Sequence, residues 1–157
     1  MPKITTFLTF DNQAEEAANF YTSVFKNSKI LTRVNYGDAG PGPKGALMWA
    51  TISLDGQELM LLNGGPSFTF AQGFSLFVSV ETQAEVDDYW TKLTAGGGKE
   101  VACGWLTDKF GVSWQIVPTI LGKLLADKDS KKAGRVMAAM MKMVKLDIPA
   151  LEKAAAG

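Results

Sequence analysis

Gln115, the hydroxyls of Thr5, Thr9, Ser75 and Ser79, and the single thiol of Cys103 are the neutral polar groups whose placement could serve a binding site. Thr5 and Thr9 alternate with Phe7, and Ser75 and Ser79 with Phe77, so on strands each set shares one face. Small hydroxyls between aromatic rings suit a pocket with a few polar points, and they are also ordinary strand residues. Gln115 can both donate and accept, either to a ligand or to buried backbone groups. Of four tryptophans, Trp90 falls on the packing face of a helix pattern, and Trp114 must point opposite to its neighbour Gln115. Trp49 and Trp105 have two readings: structural packing, or an indole that stacks on a planar ligand.

The chain has no histidine. Ser-His-Asp and Cys-His catalysis are thereby excluded, as is the commonest ligand of catalytic zinc or iron. Cys103 has no evident activating base and reads as an inert thiol. Glu15-Glu16 and Asp87-Asp88 are adjacent on helix patterns, so each pair diverges into solvent and makes no dyad. Asp108 reads as a turn residue.

The elements that position these groups come from a chain of 157 residues, the length of one ordinary domain or two very small ones. Apolar residues make up 46% and charged residues 20%, which excludes a disordered chain. Lys plus Arg and Asp plus Glu are 16 each, and a neutral chain is poorly suited to nonspecific nucleic-acid binding. With one cysteine there is no intrachain disulfide. The start, Met1-Pro2-Lys3-Ile4-Thr5-Thr6, lacks a signal-peptide stretch, and no segment reaches the ~20 apolar residues of a membrane span. A cytoplasmic protein without membrane association is therefore expected.

An internal repeat organises the first three-quarters. Residues 7–15, FLTFDNQAE, match residues 77–85, FVSVETQAE, at an offset of 70. Each segment is a strand running into a helix start, with Asn12 and Glu15, or Thr82 and Glu85, at capping-box spacing. Helical spacing follows in Ala14, Ala17, Ala18, Tyr21, Val24 and Phe25, and again in Val86, Tyr89, Trp90 and Leu93. Lys26-Asn27-Ser28 and Gly96-Gly97-Gly98 stop the two helices. Strands are expected at 30–36, 46–54 and 58–62, with an Asp55-Gly56 hairpin turn and a Gly/Pro loop over 37–45 that is either a lid or a connector. In the second half they are expected at 100–102, 104–107 and 112–117. The pattern is βαβββ twice, in modules of about 1–66 and 73–118. A tail over 119–157 carries eight basic and four acidic residues, against eight and twelve before it. There Ser130 is positioned to cap a helix whose apolar stripe runs through Val136, Met137, Met140, Met141 and Val144, and Pro149 opens another. Such a stripe must pack on its own domain or on a dimer partner.

The paired βαβββ pattern resembles the vicinal oxygen chelate superfamily of glyoxalase I, bleomycin-resistance proteins and extradiol dioxygenases. Phe7-Leu8-Thr9-Phe10-Asp11, Phe25-Lys26-Asn27-Ser28, Leu62-Asn63-Gly64-Gly65-Pro66, Cys103-Gly104-Trp105-Leu106 and Trp114-Gln115-Ile116-Val117-Pro118 are similar to its PhnB-like branch, often labelled 3-demethylubiquinone-9 3-methyltransferase. The resemblance implies an α+β fold in which two modules form a curved mixed-sheet cup, with a helical C-terminal extension and a homodimeric assembly. It places the superfamily's metal-ligand positions at Thr5, Met60, Ser75 and Gln115. Only Gln115 is a competent donor there, so no metal and no cofactor are expected. The methyltransferase label is not supported, because Gly96-Gly97-Gly98 follows a helix and leads into a strand, the reverse of a cofactor-cradling turn. The implied site is the cup: Thr5, Phe7, Thr9, Trp49, Met60, Ser75, Phe77, Trp105 and Gln115. The expected function is binding of a planar or aromatic small molecule, as in bleomycin-resistance relatives. The alternative is an enzyme of the superfamily, metal-dependent or metal-free.

Overall fold

The structure, a computed structural model, describes residues 3–157; Met1 and Pro2 of the N-terminal segment lie outside them. The chain divides into two compact units, one ending at Thr69 and the other running from Phe70 to Gly157.

The first unit is a βαβββ module: β1 (Thr6–Phe10), α1 (Ala14–Val24), β2 (Ser28–Asn35), β3 (Leu47–Leu54) and β4 (Gln57–Asn63). Its sheet has the order β1-β4-β3-β2, with β1 parallel to β4 and the other pairs antiparallel. Strand alternation sends Leu8, Phe10, Ala50, Ile52, Leu59 and Leu61 to one face, where α1 buries Ala14, Ala17, Ala18, Tyr21 and Val24. Small alanines in that helix stripe allow close approach to the sheet. The Asp55-Gly56 turn forms as read, with φ of 48° and 87° at its two central residues. Asn12 does not cap α1. The amide of Ala14 donates instead to Oδ1 of Asn63 at 2.8 Å, from the end of β4. The 37–45 loop folds back on Tyr36: the Tyr36 hydroxyl donates to the Asn63 carbonyl at 2.8 Å, and a Cβ on Gly42 would lie 2.1 Å from the ring.

The second unit repeats the frame with β5 (Leu76–Val80), α2 (Gln83–Thr94), β6 (Lys99–Glu100), β7 (Trp105–Thr107) and β8 (Ser113–Pro118), ordered β5-β8-β7-β6. The register repeats too, since Phe7 pairs with Met60 as Phe77 pairs with Gln115. Thr82 caps α2 in a full capping box with Glu85. Asp108 is buried in the turn before β8, where Oδ1 accepts from the amides of Phe110 and Val112 and Oδ2 from the Trp114 indole. Gly98 lets α2 pass close to β7: a Cβ there would lie 2.7 Å from the Thr94 Cα and 2.9 Å from the Thr107 carbonyl.

Three helices complete this unit: α3 (Thr119–Leu125), α4 (Ser130–Met140) and α5 (Ile148–Ala156). Two local expectations are corrected. Asp129 rather than Ser130 caps α4, its carboxylate accepting from the Lys131 and Lys132 amides. The helix also ends at Met140, so Met141 and Val144 leave the stripe and stand exposed; Met137, inside the helix, is exposed as well, and of the expected stripe only Val136 and Met140 pack on the tail core. The tail core is made by Leu121, Val136, Leu146, Leu151 and Ala155, packed with Val117 of β8. Three polar ties hold it to the module. Gln83 donates to the Leu146 carbonyl and accepts from the Ile148 amide at 2.7 Å. Lys145 pairs with Asp87 at 2.8 Å. The amides of Cys103 and Gly104 donate to the carbonyls of Met143 and Val144.

Candidate ligand-binding site

In β8, alternation turns Trp114 and Ile116 toward α2, and Gln115 and Val117 to the opposite face. Gln115 lies in register with Phe77 of β5 on one side and Trp105 of β7 on the other. Cross-strand neighbours stand about 5 Å apart, so phenyl, amide and indole form one row. Gln115 Nε2 donates to Ser75 Oγ at 3.0 Å, which orients the amide and leaves its Oε1 without a partner among the described residues. Four of the nine residues expected at the site are thus adjacent within the second unit.

Above this row lies an open recess of about 510 Å³, within the size range of small-molecule sites. Its sheet side includes Phe77, Ser79, Cys103, Trp105 and Gln115. Its other side is formed by Leu121, Gly122, Leu125 and Met140 of the tail, residues that reasoning from sequence did not assign to any site. No lining residue carries a charge. Cys103 adopts a left-handed backbone, φ 61°, between its own amide bond to Met143 and the Gly104 bond to Val144. The loop that delivers Trp105 to the row is thereby anchored to the tail.

In the first unit, Phe7, Met60 and Thr51 make the corresponding row, and Thr9, Leu62 and Trp49 a second beside it. Thr5 precedes β1 and is exposed. Gln115 has no counterpart there, since its register position is held by Met60.

The donor set does not fit a metal. At the ligand positions of the second unit stand one hydroxyl and one neutral amide already bonded to each other, and at those of the first a hydroxyl and a thioether. Among the described residues, no group of three or more His, Cys, Asp or Glu could hold an ion. Nor does the fold fit a methyl-donor cradle at Gly96–Gly98, which stops α2 with φ of 72° and 118° at its first two glycines. Away from the recess, hydrogen bonds from Lys145 and Gln83 hold the Asp87 carboxyl below its usual range, and Asp127 is lowered by the Asp129 amide and Lys132.

The model of the 3-demethylubiquinone-9 3-methyltransferase family matches residues 2–117. A Bacillus cereus structure described as a putative 3-demethylubiquinone-9 3-methyltransferase, PhnB protein, shares 42% identity at a TM-score of 0.69, over 75% of this chain and 100% of its own. Protein PA1353 of Pseudomonas aeruginosa, 22% identical, matches 75% of this chain and 98% of its own at a TM-score of 0.62. The fosfomycin resistance protein FosX of Listeria monocytogenes, 12% identical, matches 75% and 93% at 0.52. The last two show a shared fold, that of the glyoxalase and bleomycin-resistance proteins. No curated protein is significantly similar to the chain.

Proposed function

We propose that this chain, which belongs to the 3-demethylubiquinone-9 3-methyltransferase (PhnB-like) family, binds a small, neutral, planar or aromatic molecule on the second unit's sheet face. The family label names a lineage, and the residues at the site supply no methyl-transfer chemistry. The observation that carries the reading is the uncharged recess of about 510 Å³ over the Phe77–Gln115–Trp105 row. Indole and phenyl offer stacking faces, and Gln115 Oε1 offers one hydrogen-bond acceptor to fix orientation. An anionic ligand would find no cation to replace its lost hydration.

The assay is a thermal-shift panel of neutral and anionic aromatic compounds, repeated on Phe77→Ser. Phe77 is 58% exposed, so its loss should barely alter folding. Neutral compounds should raise the melting temperature of the wild type and not of the variant. A panel without neutral binders, or binding indifferent to Phe77→Ser, would overturn the reading. Turnover of a bound compound, followed by mass spectrometry, would move the protein to the enzymes of its superfamily. We further propose a homodimer, supported by large exposed apolar side chains such as Ile4 and Phe68 and to be checked by sedimentation, and a cytoplasmic location, to be checked by cell fractionation.

A further inference from the structure

We infer that the C-terminal extension is a specificity wall: α3 and the end of α4 close one side of the recess and restrict it to an uncharged aromatic moiety. The inference rests on the small-molecule reading above and adds to it the element that chooses the ligand.

The modules shared with relatives stop short of this wall. The family model ends at residue 117, and the Bacillus cereus PhnB protein is covered completely by 75% of this chain. Residues 119–157 therefore lie beyond what the family model and that protein share with this chain, and they dock on the Gln115 face through Val117. Leu121, Gly122, Leu125 and Met140 supply the wall itself.

The charge pattern of the extension keeps that wall neutral. It carries eight basic residues, yet none lines the recess. Several are tied down elsewhere: Lys132 to Asp127, Lys145 to Asp87, and Arg135 to the carbonyls of Ala154 and Ala155 at the end of α5. Of the tail's groups at the cavity only the Thr119 hydroxyl is polar, and it already donates to Glu81 at 2.9 Å; a basic tail that brings no cation to its cavity selects against anions.

Gly122 marks where the occupant fits. Glycine is disfavoured inside a helix, and nothing in its backbone conformation requires it here, because its φ is not positive. A Cβ added there would meet no atom within 4 Å. Gly122 is exposed and lines the recess, so a side chain there would enter open space at the wall. Gly134 of α4 has the same open surroundings but does not line the recess, which makes it a matched control.

The test uses N-phenyl-1-naphthylamine, a neutral fluorescent aromatic, and its sulfonated analogue 8-anilinonaphthalene-1-sulfonate. The full-length wild type should bind the neutral probe saturably at one site, at least tenfold more tightly than the sulfonate. Gly122→Trp should weaken the neutral probe at least tenfold without lowering the melting temperature, while Gly134→Trp leaves binding unchanged. Gly122→Lys should reverse the preference toward the sulfonate. If Phe77→Ser weakens the probe but Gly122→Trp does not, the wall is refuted and the sheet-face site stands. If neither variant affects binding, both readings fall. Equal affinity of the wild type for the two probes would refute selection by charge.

Discussion

Gly104 is where the sheet meets the tail, and its replacement by alanine should be among the most damaging single-methyl changes in the second unit. Its φ is +85°, a region in which a side chain costs about 1–2 kcal/mol. The new Cβ would lie 2.8 Å from Leu146 Cδ1, 3.0 Å from its Cγ and 3.2 Å from the Ile116 carbonyl. Leu146 is fully buried in the tail core and cannot swing aside. Overpacking of this kind costs about 1–3 kcal/mol, so the sum is about 2–5 kcal/mol. Gly111 separates the two parts, because it has φ +90° and nothing within 4 Å of its would-be Cβ. Gly111→Ala should therefore show only the backbone cost of about 1–2 kcal/mol. Equilibrium urea unfolding, followed by tryptophan fluorescence and compared at equal slopes, measures both. Adding Leu146→Ala to Gly104→Ala should give less than the sum of the single effects, since the steric conflict is then gone. Equal costs at Gly104 and Gly111 would show that the tail is not seated against this turn.

Asp108→Ala leaves the Trp114 indole and the Val112 amide facing a buried gap, each at about 1–3 kcal/mol; calorimetry should show a loss of about 2–6 kcal/mol, and a loss under about 1 kcal/mol would mean that water replaces the carboxylate. The folded Asp87 carboxyl titrates below its usual 3.8, so its contribution is present above that value and disappears as pH falls through the lower folded one. Wild-type stability should accordingly fall more steeply than that of Asp87→Asn as pH drops below about 4, and parallel acid-unfolding curves would show that the Lys145 contact contributes nothing. Purified protein should hold less than about one-fifth of a divalent ion per chain, and added zinc, nickel or manganese should not raise its melting temperature; stoichiometric metal at Gln115 would overturn the donor-set argument.

The repeat was the most legible feature of the sequence, because an ungapped offset carries strand register with it. Aligning FLTF with FVSV already implies that whatever pairs with Phe7 has a counterpart pairing with Phe77, and Met60 and Gln115 occupy those places. Local caps were legible only where the capping group was local. Thr82 caps through a residue three positions on, whereas the first helix takes Asn63 from 49 residues away. At the tail helix the cap lies one residue earlier than the sequence pattern puts it: the Asp129 side chain accepts from the Lys131 and Lys132 amides, and an acidic residue is favoured at a helix N-terminus. The helix boundary at Met140 escaped periodicity because the stripe continues through Val144. What ends the helix is tertiary: the carbonyls of Met143 and Val144 are taken by the amides of Cys103 and Gly104. The recess wall was illegible for a related reason, since periodicity says that a helix has an apolar face but not which sheet face receives it.

The two modules share a frame, and only the second is fitted with an acceptor row and a wall. The same Gln-Ala-Glu run begins both helices, yet its glutamines serve differently. Gln13 is the N-cap residue of α1 and makes no side-chain cap bond, while Gln83 spans the Leu146 carbonyl and the Ile148 amide. With the Asp87–Lys145 pair and the two amide bonds at Cys103 and Gly104, the tail is fixed to α2 and to the turn before β7 at separate points. Several attachments on different elements resist hinging more than a single one does, so the recess is held open before any ligand arrives. Affinity in such a site comes from avoiding the ordering cost that a closing lid would incur. Binding should therefore leave the far-ultraviolet dichroism and the hydrogen exchange of α3–α5 nearly unchanged. Strong new protection of the Leu121 and Leu125 amides on probe binding would show instead that the wall forms around its ligand.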